Sequence, residues 1–68
     1  MTELTRGQLI RYERRKRYLT QGEAAARIGV NQQQVSLWER DMVDTIQEQN
    51  IELIAHVLGI DPERLRTK

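Results

Sequence analysis

The chain has 68 residues, 11 Lys and Arg against 10 Asp and Glu, and no cysteine. That length allows one domain, residues 1–68, which buries only about 60% of the surface its unfolded form exposes, so dimerisation would widen a thin stability margin. The composition excludes a disulfide framework or thiolate metal site, no apolar run approaches the roughly 18 residues of a membrane span, and no secretory pattern opens the chain, so a cytoplasmic location is expected. The net charge of +1 hides a split: residues 1–40 carry eight basic and four acidic side chains, residues 41–68 three basic and six acidic. One end thus suits an anionic partner better than the other.

No segment alternates apolar and polar residues as a strand would, and helix signals are dense. The first helix is expected over about 5–17, with Leu9, Tyr12 and Lys16, and Ile10 beside them, forming a partly apolar face; Gly7 weakens its start. Thr20-Gln21-Gly22-Glu23 fits a capping box, in which the threonine hydroxyl and the glutamate carboxylate each accept from the other residue's amide. A short alanine-rich helix follows and Gly29 ends it. Asn31 restarts a helix as its N-cap, with Gln34 placed to complete a second box. Two short helices joined around a glycine form a helix-turn-helix motif, at about residues 20–40.

The third helix reaches about Arg40, and a loop from Asp41 to Ile46 follows. Asp44 or Thr45 is the expected cap of a fourth helix, whose Ile51, Ile54, Ala55 and Leu58 recur at core-facing spacing until Gly59. Asp61-Pro62-Glu63 then starts a short fifth helix that carries Leu65 inward and frays at 66–68.

A rotation of 100° per residue divides the third helix into two faces. Val35 and Trp38 share the buried face, with Glu39 at its edge. Gln33, Ser36, Leu37 and Arg40 face outward, with Gln32 at the leading end. Side-chain amides can pair with adenine N6 and N7, a leucine can touch a thymine methyl, and Arg40 can meet a phosphate. The competing reading is an ordinary solvated face carrying one exposed leucine.

Leu19-Thr20-Gln21, Ala25, Ile28-Gly29-Val30, Gln32, Val35-Ser36, Trp38-Glu39, Ile54-Ala55, Leu58-Gly59-Ile60 and Leu65 together resemble the helix-turn-helix pattern of the Cro/phage-repressor (XRE) family. The resemblance covers about residues 9–66. It implies an all-α, compact, five-helix, lambda-repressor-like domain that binds double-stranded DNA as a homodimer, with the third helix of each subunit in successive major grooves. It places Gln32, Gln33 and Leu37 at base-reading positions, Ser36 as a variable contact, and Gln21 on a phosphate. It also implies an inward, structural ion pair between Arg14 and Glu39. Two departures stand out: Asp41 replaces the family's usual glycine, and the loop holds acids where the family often has bases. Further phosphate contacts are therefore sought in Arg11, Arg15 and Arg17, or Arg6. Dimer contacts are expected from the loop and the last two helices, through Met42, Val43, Ile46, Ile60 or Leu65.

Ser36 has no nearby histidine to act as its base, His56 is the only histidine, and no glycine-rich phosphate loop is present. No enzyme, metal, cofactor or small-molecule effector is expected. The alternative class is a protein-interaction module such as an antitoxin or anti-repressor adaptor, motivated by the acidic second half; a restriction-modification controller is a sub-case. The sequence leaves the operator and the sign of regulation open.

Overall fold

The computed structural model describes residues 3–66; Thr67 and Lys68, where fraying is expected, lie outside them. Five helices follow in order: α1 Arg6–Lys16, α2 Gln21–Ile28, α3 Gln32–Glu39, α4 Glu48–Leu58 and α5 Pro62–Arg66. No strand occurs among the described residues. One core joins them, built on Ile10, Val35, Trp38, Ile54, Leu58 and Leu65 with Ala24, Ala25 and Ile28 of α2.

The local signals place most boundaries. Thr20 and Glu23 form the reciprocal capping box at α2. Gly29 ends α2 at φ 95°, a left-handed conformation that glycine takes without a steric penalty. Asn31 caps α3 by accepting from the Gln34 amide at 2.9 Å, but the return bond from the Gln34 side chain does not form, so this box is half made. A further box at α1, Thr5 with Gln8, follows the same spacing rule and fixes the start that Gly7 was expected to weaken.

Three expectations are corrected. Tyr12 and Lys16 are exposed; the inward stripe of α1 is Arg6, Gly7, Ile10 and Arg14, two arginines and a glycine that apolar periodicity does not flag. The cap of α4 is Gln47, without a side-chain bond, rather than Asp44 or Thr45. Burial of Ile46 in the core and capture of the Val43 and Asp44 carbonyls by Arg6 draw the chain past those residues before the helix begins. Ile46, Ile60 and Leu65 are all buried, so of the expected dimer contacts only Met42 is fully exposed and Val43 partly so.

Arg6 is the least anticipated core residue. The residue is 5% exposed, and its guanidinium donates to the carbonyls of Val43 (2.9 Å), Asp44 (2.6 Å) and Leu65 (3.3 Å). It ties the start of α1 to the loop and to α5, and is not available to a phosphate. A cation spread over several carbonyls is the arrangement a planar five-donor fork allows.

α1 and α3 meet closely at Gly7. A Cβ built there would stand 2.7 Å from Asp41 Oδ1 and closer still to the Trp38 carbonyl oxygen. Asp41 itself sits at φ 55°, where its family's glycine would sit. Its amide bonds the Trp38 carbonyl and the next amide, of Met42, bonds the Leu37 carbonyl, so α3 ends in a Schellman turn. The Asp41 carboxylate then accepts from the Gly7 amide (3.1 Å) and the Thr5 hydroxyl (2.6 Å) at the start of α1. The residue that departs from the family pattern both ends one helix and caps another, where its charge also meets the positive end of the α1 dipole.

Candidate nucleic-acid interface

The turn Gly29-Val30-Asn31 sets α3 across α2, and burial of Val35, Trp38 and Glu39 fixes its rotation. What remains outward is Gln32, Gln33 and Arg40, all exposed, with Ser36 and Leu37 partly exposed between them. The Gln32 amide oxygen lies over the first turn of α2, 3.5 Å from where a Cβ at Gly22 would stand. The leading end of α3 thus adjoins the start of α2, where Gln21 is half-buried. Arg40 holds the far end, its Nε donating to the Ser36 carbonyl at 3.3 Å.

Behind this face lies a polar hub on Glu39, which is 3% exposed. Arg14 donates to both its oxygens, Nε to Oε2 at 2.6 Å and Nη2 to Oε1 at 3.0 Å, and uses Nη1 on the Leu19 carbonyl at 2.8 Å. Oε1 also accepts from Gln21 Nε2 at 3.1 Å and Arg11 Nε at 3.3 Å. Burial pushes the Glu39 carboxyl up, but the bonds from Arg14, Gln21 and Arg11 and the Arg14 charge outweigh it and hold the group below the usual carboxylate range. The bond to Glu39 likewise raises the Arg14 guanidinium, against its own burial. Both carboxylates at the end of α3, Glu39 and Asp41, are therefore spent on donors of α1 and α2.

The basic residues expected as phosphate contacts separate. Arg11 is brought to the rim of the hub, its side chain 44% exposed. Arg15 is exposed, without a partner among the described residues. Arg17 pairs with Glu13 at 2.6 Å and lies against the turn at Gly59, so it does not join the cations gathered at Glu39. The bonds from Gln21 and Arg11 to Glu39 were not foreseen; the visible signal was Arg11 and Arg14, three residues apart on one helix and so neighbours on its surface. The described residues contain no cluster that could hold a metal ion and no helix long and apolar enough to cross a membrane.

Residues 10–65 match the family model described as Helix-turn-helix. Among solved structures, the P22 c2 repressor in complex with a synthetic operator is 27% identical over 97% of each chain, with a TM-score of 0.84. The solution structure of the DNA-binding domain of the same repressor is 26% identical over 96% of this chain and 84% of that one, with a TM-score of 0.80. A chain of the SinR–SinI protein complex is 25% identical over 93% of this chain and 61% of that one, with a TM-score of 0.81. No curated protein matches this sequence. The chain belongs to the helix-turn-helix family of the Cro/phage-repressor (XRE) type, a family of DNA-binding transcription regulators.

Proposed function

We propose that the protein binds a two-fold-related operator as a homodimer, places α3 in the major groove, and represses by occluding a promoter. The observation that carries this is the make-up of the outward face of α3: two exposed glutamines at its leading end, Ser36 and Leu37 beyond them, Arg40 at the far end, and no outward carboxylate from Glu39. Such a face offers amide donors and acceptors to base edges, an apolar group to a thymine methyl and a cation to a phosphate. The likeness to a repressor solved with its operator supports the same reading. In it, Gln32, Gln33, Ser36 and Leu37 read bases, while Gln21, Arg40, Arg11 and Arg15 contact phosphates. Half-site centres then lie about 34 Å apart, one turn of DNA.

The test is selection of bound duplexes from a random pool, followed by binding of the selected site at two salt concentrations. A palindromic site whose affinity falls steeply with salt is expected, because each neutralised phosphate releases counterions. The likeness to a chain of a protein–protein complex favours the second reading, a protein-interaction module. No enriched sequence, with weak binding only at low salt, would decide for it.

A further inference from the structure

We propose that Glu39 is a positioning residue for DNA binding: its buried carboxylate aims Arg11 and Gln21 at the DNA backbone, beyond its structural pairing with Arg14. The inference rests on the reading of α3 as the DNA-facing helix. One oxygen, Oε1, accepts from Arg14 Nη2 (3.0 Å), Gln21 Nε2 (3.1 Å) and Arg11 Nε (3.3 Å). The bidentate grip of Arg14 and the burial of Glu39 fix that oxygen in space.

The consequence differs for the two rim residues. Arg11 is bound through Nε, so its two terminal nitrogens are the end of the guanidinium left for another acceptor, and its side chain is 44% exposed. A guanidinium held at Nε presents a fork of fixed plane, which suits a phosphate. Gln21 has an amide with two chemically opposite ends. A carboxylate only accepts, so it must face the nitrogen, and that choice leaves one N–H of Nε2 for a phosphate oxygen. A free glutamine would present its carbonyl oxygen, which repels phosphate, as readily as its N–H. Glu39 thus selects the donor end and orders both side chains before DNA arrives, which removes part of the ordering cost of binding.

The experiment is a mutant cycle on the selected operator, read as affinity and as the slope of log K against log salt. Glu39→Gln cannot accept from all three donors. It is expected to weaken operator binding about tenfold or more, the loss of a charge-assisted bond, and to lower the salt slope by about 0.9 for each phosphate no longer neutralised. Combined with Arg11→Gln and Gln21→Ala, it should then cost nothing further. An equal cost of Glu39→Gln in both backgrounds overturns the proposal, since a merely structural residue acts additively. Should circular dichroism show that Glu39→Gln does not fold, Arg11→Lys decides: it keeps the charge at a half-exposed site but lacks the fork. It is expected to bind severalfold more weakly than the wild type while keeping the wild-type salt slope, which Arg11→Gln loses, and wild-type affinity would overturn the proposal. If the wild-type protein selects no site, the reading of α3 fails and this proposal with it; a selected site with an additive cycle sinks this proposal alone.

Discussion

Replacing Gly7 by alanine sets two effects of known size against each other. In a helix interior alanine is favoured over glycine by about 1 kcal/mol; Gly7 lies in the first turn of α1, where that value is an upper bound, but propensity alone still predicts a more stable protein. The α1–α3 contact predicts the reverse. The new methyl would stand 2.7 Å from Asp41 Oδ1 and nearer to the Trp38 carbonyl, distances that real Cβ contacts essentially never show. The Asp41 side chain cannot rotate away without losing its bonds to the Gly7 amide and the Thr5 hydroxyl. The Trp38 carbonyl is backbone, and it accepts the amide of the turn that ends α3. Relief therefore means moving α1 off α3. Such overpacking costs about 1–3 kcal/mol, to which the loss of the Asp41 cap adds about 1 kcal/mol. The net expectation is a loss of about 1–3 kcal/mol, or a fall in Tm of roughly 5–20 °C for a domain of this size. Thermal unfolding followed by circular dichroism measures it. An unchanged or raised Tm would refute the close-approach argument.

Two further predictions concern the polar core. Arg6→Met keeps most of the side-chain volume but removes the donors to Val43, Asp44 and Leu65; urea unfolding should show a loss of about 2–4 kcal/mol, and a loss under about 0.5 kcal/mol would mean that water replaces the guanidinium at little cost. Glu39 has a folded pKa below its unfolded value, so protonation favours the unfolded chain. Its contribution is complete above the ordinary carboxylate value of about 4.3 and is lost as pH falls through the lower folded value. Tm should hold between about pH 5 and 8, an interval with no titration of this group, and fall in acid below it. A Glu39→Gln variant that folds should show a shallower acid decline, and an equally steep one would place the acid sensitivity elsewhere.

The sequence disclosed its local signals and hid the long-range ones. Thr20 with Glu23, Asn31, Gly29 and Gly59 act within a few residues of themselves, and each stands where spacing placed it. The Thr5–Gln8 box was equally legible and obeys the same rule. Arg6 and Gly7 were not legible, because the groups they meet lie more than 30 residues away in the chain. An inward arginine that serves three carbonyls looks, in sequence, like any solvated base. In sequence Asp41 is one more loop acid where the family often has bases; only its left-handed backbone and its position over Gly7 show the carboxylate engaged at the start of α1. The outward face of α3 was legible because one helix fixes it: once Val35 and Trp38 go in, Gln33 and Arg40 face out. The hub behind it needs three helices together.

The most direct test of the account repeats the selection from random duplexes with Gln33→Ala beside the wild-type protein. If α3 reads bases through its glutamines, the variant should still select a palindrome but lose its preference at one symmetric pair of positions, with discrimination there reduced by about 1–3 kcal/mol. A variant that selects the wild-type site with every preference intact would contradict the placement of Gln33 on a base edge, and with it the claim that the outward face of α3 carries the specificity.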